Sequence, residues 1–440
     1  KSFGKNAGTT HTINMPNWNE FYNKVKADNW PQCDNEQDFD QLPENIKFEC
    51  INKFGYNPSS FKVTEVLEEN KAFCILPFLH LYINENNDVA YCCKSSSIKQ
   101  HTEQFDFYTD ADYVNTRQLM KDRSFVKQCN SCYKMEANSG ISPRMINTKE
   151  WFEKLKITSI DQVEEKLRYY DIRNDSLCNL KCRMCSPRSS TQLQKEYKEI
   201  GIPFTINSNK LKLNQVVDYT TVEKIYIAGG EPTLMPEVSA LLSKCIENNR
   251  KDVNLTIITN GTNVNSAFVD SLKEFTDVNI TLSLDGYDQL NRYIRWPSDW
   301  DTIVTNIEKL KSITDHLSVN ITANIINVTR LYELVSFLET VLPSPATILI
   351  NEVTYGPYVP FNFPDRELAI EKISLLKNTH SYAHEEIFKN KVDYFISVFE
   401  NSHSDKAQLK EFFKFNDLLD NHRGVYLKDI VPELEKFRHE

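Results

Sequence analysis

Leu177-Cys178-Asn179-Leu180-Lys181-Cys182-Arg183-Met184-Cys185 places three thiols within eight residues, spaced C-x3-C-x2-C, in a chain of 440. A loop this tight can wrap one corner of a cubane iron–sulfur cluster, whose standard ligands are thiolates. Three ligands for four irons leave one iron open, which suits a catalytic cluster better than a purely electron-carrying one. A structural zinc knuckle, or three unrelated core cysteines, is the plainer alternative for the same spacing. The surroundings of the triplet separate these readings. A short apolar run at 169–173 leads into it, and an amphipathic stretch near 190–200 follows it.

Downstream the same alternation repeats. Strand-like runs at 224–228, 254–259, 279–284, 318–325 and 347–352 are separated by helical stretches near 237–249, 266–275, 300–312 and 329–341. Apolar strands alternating with helices predict a parallel sheet with helices outside it. Six such units fit an open barrel, in which loops at the carboxyl ends of the strands carry the chemistry. Ile227-Ala228-Gly229-Gly230-Glu231-Pro232 follows the second strand, in a chain with only 11 glycines. A double glycine lets backbone come close to a ligand, and a carboxylate accepts hydrogen bonds from an ammonium group. Alone, Gly-Gly-Glu is an ordinary turn; at the strand end after a cysteine triplet it is far more specific.

Together these residues resemble the radical S-adenosylmethionine (radical SAM) superfamily over roughly 168–355. The triplet is similar to its cluster loop, and Gly229-Gly230-Glu231 to its methionine-binding motif. Thr259-Asn260-Gly261 and Ser283-Leu284-Asp285-Gly286, after the third and fourth strands, also match. Arg292 and Arg295 fit a pattern common in peptide-modifying members. The resemblance implies an α/β chain with a partial (β/α)6 TIM-like barrel of the radical SAM type. It implies a [4Fe–4S] cluster on Cys178, Cys182 and Cys185, whose open iron is chelated by S-adenosylmethionine. Reductive cleavage of that cofactor gives a 5′-deoxyadenosyl radical, which abstracts hydrogen from a substrate C–H. Gly229, Gly230 and Glu231 would meet the methionine ammonium, and Ser283 the ribose or carboxylate. Asn260 and Asn324 are further candidates at strand ends, and each is equally a turn cap. The residue before the last cysteine is often aromatic in this family and lies near the adenine; here it is Met184, whose thioether can pack on a purine.

The remaining cysteines, out of 11, include a second local set: Cys74, Cys92, Cys93, Cys129 and Cys132. Stretches 79–83 and 89–93 read as a hairpin across a polar turn, 112–126 as a helix, and Cys129-x2-Cys132 as a knuckle after it. This arrangement resembles the SPASM/twitch module, which implies a second, auxiliary [4Fe–4S] cluster on Cys74, Cys92, Cys129 and Cys132. The spacing equally suits a four-cysteine zinc site. Neighbours on a strand face opposite ways, so only one of Cys92 and Cys93 is expected to bind, and the family pattern favours Cys92. The module precedes the barrel here, whereas it usually follows it. Cys33, Cys50 and Cys245 read as buried apolar residues.

The expected divisions are an extension of unread role at 1–70, with Trp18, Phe21, Tyr22 and Trp30 as anchors, and a small α+β cluster-binding module at 71–147. A helical connector at 148–167, the barrel at 168–360 and a helical C-terminal tail at 361–440 complete them. A net charge of −10 disfavours a nucleic-acid partner. No run is long enough to span a membrane, and no secretory signal is visible, so a cytoplasmic, reducing location is expected. The leading substrate is a peptide or protein; a small molecule such as a sugar, amino acid or nucleoside is the alternative, and a non-catalytic electron-transfer protein a remoter one. An electron donor such as flavodoxin or ferredoxin is the implied partner.

Overall fold

The computed structural model describes residues 66–96, 99–100, 105–139, 142–173, 175–206, 213–342 and 347–439. The anchors expected within 1–65, with Cys33 and Cys50, lie outside the described residues. The chain divides into two compact units, one of residues up to 82 with 89–168, the other of 83–88 with 169 onward.

Helix α1 (Leu76–Leu79) of the first unit leads into strands β1 (His80–Ile83) and β2 (Asp88–Ala90), whose connecting residues 83–88 belong to the second unit. The polar turn between them closes through Asn84, whose side-chain oxygen accepts the Asn86 and Asp88 N–H groups, each at 2.9 Å. Helix α2 (Ala111–Lys121) starts where Asp110 accepts the N–H groups of Asp112 and Tyr113. It stops short of the expected 126, because Arg123 takes a left-handed conformation with φ 59° just after it. Helices α3 (Asn130–Ser139) and α4 (Pro143–Leu155) complete the unit. Two expectations are corrected here. Helix α4 begins before the expected connector and buries Trp151 and Phe152, the latter edge-on to Phe73 with centroids 6.0 Å apart. The Cys129–Cys132 segment is no knuckle: Cys129 closes a 3-10 turn and Cys132 rides on the first turn of α3.

The second unit holds six parallel strands in sequential order: β3 (Tyr169–Ile172), β4 (Lys224–Ile227), β5 (Asn254–Thr259), β6 (Val278–Ser283), β7 (Leu317–Ala323) and β8 (Ile348–Glu352). Along β5 and β7 every second residue is fully buried, as the two-residue period of a strand requires. Between the strands run α5 (Thr191–Glu199), α6 (Pro236–Glu247), α7 (Ser266–Leu272), α8 (Trp300–Lys311) and α9 (Leu331–Val341). Helix α6 buries Val238, Leu241, Leu242 and Cys245, an i, i+3, i+4, i+7 stripe. Each such fully buried aliphatic side chain contributes about 1.5–3 kcal/mol. This is the open (β/α)6 arrangement, and the tail after it is helical, with α10 (Arg366–Ser374), α11 (Glu386–Asn401) and α12 (Lys406–Arg423). Among the described residues, no helix is long and apolar enough to cross a membrane.

Candidate functional site

The cysteine loop leaves the carboxyl end of β3 and is held from three directions. Asp175 accepts the Leu177 N–H at 2.9 Å, setting the turn into the loop. Ser190 caps α5 through the Leu193 N–H at 3.2 Å and also donates to the Leu180 carbonyl at 2.6 Å, so the cap of the following helix is tied to the loop itself. On the second side, Gly230 N–H donates to the Asp175 carbonyl at 2.9 Å and Glu231 N–H to the Leu177 carbonyl at 2.7 Å. This contact explains the glycine pair. Gly229 has φ +115°, and a Cβ on Gly230 would lie 2.3 Å from the Leu177 oxygen. The backbone that the glycines admit here is the cysteine loop. Gly230→Ala is therefore expected to prise the two loops apart and to cost about 1–3 kcal/mol; a lower urea midpoint with reduced iron incorporation is the result to look for, and wild-type values for both would refute the packing.

The third direction was not legible in the sequence. Arg183, between Cys182 and Met184, is buried and reaches helix α12: its guanidinium donates to Asn416 Oδ1 at 2.8 Å and Asp420 Oδ1 at 2.6 Å, and its Nε to the Tyr293 carbonyl at 2.8 Å. Tyr293 lies under the guanidinium, 3.7 Å from ring centroid to Cζ, and donates its hydroxyl to Asp420. One helical turn on, Arg423 pairs with the buried Glu196 at 2.6 Å and donates to the Lys181 carbonyl at 2.8 Å. Lys181 and Cys182 also pair antiparallel with Trp296 and Arg295.

Cys178 is buried, and Cys182 and Cys185 are half-buried. Burial pushes the Cys178 thiol up to about 11 and drives Cys182 and Cys185 upward too, with Cys185 adding to the rise at Cys178, and both Cys185 and Cys178 adding to it at Cys182. Arg295 opposes this: its guanidinium favours the thiolate at all three. Its Nε is 2.6 Å from Asp285 Oδ2, off the hydrogen-bonding direction, while Asp285 Oδ1 accepts the Thr322 N–H at 2.7 Å. One buried and two half-buried thiols beside a largely buried cation form a donor set that fits an anionic, thiolate-bound cluster.

Glu231 is fully buried. Its Oε1 accepts from the Thr233 N–H, the Thr233 hydroxyl and the Thr259 hydroxyl, and its Oε2 from the Asn260 N–H at 2.7 Å. It thereby clamps the ends of β4 and β5 together, a role the sequence did not reveal. Asn260 donates to Asn179 in the cysteine loop at 3.0 Å and stands 4.0 Å from the Cys178 sulfur. Met184 is half-buried within the loop, and Ser283 ends β6 half-exposed. Asn324 is engaged locally: it donates to the Thr322 carbonyl and accepts the Ile326 N–H, each at 2.9 Å, which is the turn-capping geometry.

In the first unit, Cys74, Cys92, Cys129 and Cys132 line one pocket together with Tyr91 and Arg144. Cys92 and Cys93 are not on a strand, since β2 ends at Ala90. The turn after it carries Cys92 to the pocket and leaves Cys93 exposed. Burial raises Cys92 to about 11 and Cys129 to about 12, with neighbouring thiols adding to both. Among the described residues, no three His, Cys, Asp or Glu side chains are gathered tightly enough to hold a single metal ion, and no described cysteine is in a disulfide.

Residues 176–335 match the family model described as the Radical SAM superfamily, a span that includes the cysteine triplet and the Gly-Gly-Glu loop. Among curated proteins, a GTP 3′,8-cyclase of Campylobacter jejuni (strain RM1221) is 27% identical over 165 residues, 37% of this chain and 49% of that protein. An S-adenosylmethionine-dependent nucleotide dehydratase of Flammeovirga pacifica is 32% identical over 112 residues, 24% of this chain and 35% of the relative. The chain thus spans about half or less of the length of these curated relatives. Among solved structures, anSMEcpe with bound AdoMet and the Cp18Cys peptide overlays with a TM-score of 0.35 at 16% identity, covering 51% of this chain and 61% of the other. Streptococcus suis SuiB bound to the precursor peptide SuiA gives 0.34 and 16%, covering 66% and 62%.

Proposed function

We propose, on the premise that residues 176–335 form a radical SAM domain, that this chain reductively cleaves S-adenosylmethionine and uses the result to abstract hydrogen from an unactivated substrate C–H. The carrying observation is the backbone contact that joins the C-x3-C-x2-C loop to the Gly-Gly-Glu loop at Asp175–Gly230 and Leu177–Glu231. Cys178, Cys182 and Cys185 would hold a [4Fe–4S] cluster, with Arg295 offsetting its negative charge. The cluster and cofactor supply the radical chemistry; the protein's share is aim and the exclusion of water. Glu231 Oε2 accepts one N–H from Asn260 and retains acceptor capacity for the cofactor's ammonium. Gly229 and Gly230 seat Glu231 against the cysteine loop, and Asn260, Ser283 and Met184 are the further contacts expected from the strand ends and the loop. Asn324, spent on its own turn, is the weakest of the set.

Cys74, Cys92, Cys129 and Cys132 would carry an auxiliary [4Fe–4S] cluster. Two ligands on one zinc stand roughly 3.8 Å apart, from a Zn–S bond of about 2.3 Å in tetrahedral geometry. Four thiols lining one pocket suit either centre by ligand count, and the resemblance of the module favours the cluster. With every iron ligated, it would serve electron transfer or support. The working setting is a reducing cytoplasm with a flavodoxin- or ferredoxin-type donor.

For the substrate, a peptide or protein is the leading class, supported by the Arg292/Arg295 segment and the cysteine module. A nucleotide is the second reading, favoured by the relatives named GTP 3′,8-cyclase and nucleotide dehydratase. Incubating reduced protein with deuterated peptides and with deuterated GTP, then reading deuterium in 5′-deoxyadenosine by mass spectrometry, tests both. Label is expected from peptide; label from GTP alone moves the assignment to the second class, and no 5′-deoxyadenosine under any condition overturns the function.

A further inference from the structure

The pocket of the first unit contains a feature that ligation alone does not require. Arg144 lines it beside the four cysteines and is buried, with only 3% of its side chain exposed. Its fork is fully directed: Nε donates to Glu136 Oε1 at 2.8 Å, Nη2 to Glu136 Oε2 at 2.5 Å, and Nη1 to the Phe73 carbonyl at 2.6 Å. Phe73 immediately precedes Cys74, so the guanidinium is fixed to the backbone that presents a sulfur. Ser142, which caps α4, also donates to Glu136, so the ion pair is built into the start of that helix. The positive charge acts on Cys74 and on Cys129, favouring the thiolate at both.

We infer that Arg144 is the charge-setting residue of the four-cysteine centre and that the Arg144–Glu136 pair sets its reduction potential, an inference that rests on the reading of this pocket as an iron–sulfur site. An all-thiolate cubane is anionic and becomes more so by one charge when it takes an electron. A buried cation stabilises the reduced form more than the oxidised form, and in a low-dielectric interior that difference is poorly screened. The cation raises the potential. Glu136, paired to the same guanidinium, moderates the field and lowers it. The two residues therefore push in opposite directions, which packing or folding effects have no reason to do.

The test uses the full chain carrying Cys178, Cys182 and Cys185→Ala, so that only the second centre is read. Iron and zinc analysis comes first: zinc without iron overturns the cluster reading of the pocket, and the inference with it. With iron present, a dithionite titration followed by electron paramagnetic resonance gives the midpoint potential. Arg144→Met is expected to lower it, Arg144→Lys to restore most of the wild-type value, and Glu136→Gln to raise it. If Arg144→Met fails to retain metal, Arg144→Lys and Glu136→Gln decide. An unchanged potential in Glu136→Gln, or shifts of the same sign in the Met and Gln variants, would leave Arg144 a structural residue and overturn the inference while the cluster itself stands.

Discussion

Replacing Cys178, Cys182 and Cys185 together by Ala is expected to abolish 5′-deoxyadenosine formation and to remove about four irons per chain, the content of one cubane. The loss should be complete, because no other described thiol lines this loop and the open coordination position disappears with the cluster. The fold should survive: Asp175, Ser190 and the glycine pair hold the loop through backbone groups that the substitutions leave alone. Chromatographic assay of 5′-deoxyadenosine alongside iron analysis makes the measurement. Cofactor cleavage persisting in the triple variant would remove the basis of the proposed activity.

Asp420→Ala is expected to cost about 3–5 kcal/mol of stability, because it strips one partner from a buried ion pair and leaves Arg183 uncompensated. Both side chains of the pair are at most 3% exposed, so solvent screening gives little relief. Asp420 also accepts from the Tyr293 hydroxyl and, at 2.8 Å, from the Leu427 N–H, and both donors lose that acceptor. Asp420→Asn keeps part of these hydrogen bonds and should fall between the two. Urea denaturation gives the stability change, and visible cluster absorbance after anaerobic reconstitution reports on the loop. A stability loss below about 1 kcal/mol would mean that Arg183 finds another partner, as surface pairs readily do.

The six strands were legible because each is a short apolar run, and a run needs only its own residues to be seen. Predicted and observed limits agree to within a residue or two at 169–173, 254–259 and 347–352. The cysteine triplet and Gly-Gly-Glu were legible for the same reason. What escaped was non-local. Arg183 and Asp420 are 237 positions apart, and neither the charged loop residue nor the helical aspartate signals the other. The glycine pair was visible, but the backbone it admits is 50-odd positions upstream, at Asp175–Leu177. For Cys92 and Cys93, alternation along a strand was the wrong physical ground: the strand stops at Ala90, and it is the turn that separates the two thiols.

The brace across those 237 positions also orders events in time. At a ribosomal pace of about 5–20 residues per second, the cysteine loop is made roughly 12–50 seconds before Asp420. During that interval Arg183 lacks Asn416 and Asp420 and has at most the Tyr293 carbonyl, and Lys181 lacks the Arg423 clamp, so the loop is fully braced on only two sides. The third brace is thus complete only after translation of helix α12, and a chain stalled before Asn416 would carry the cysteine loop without it.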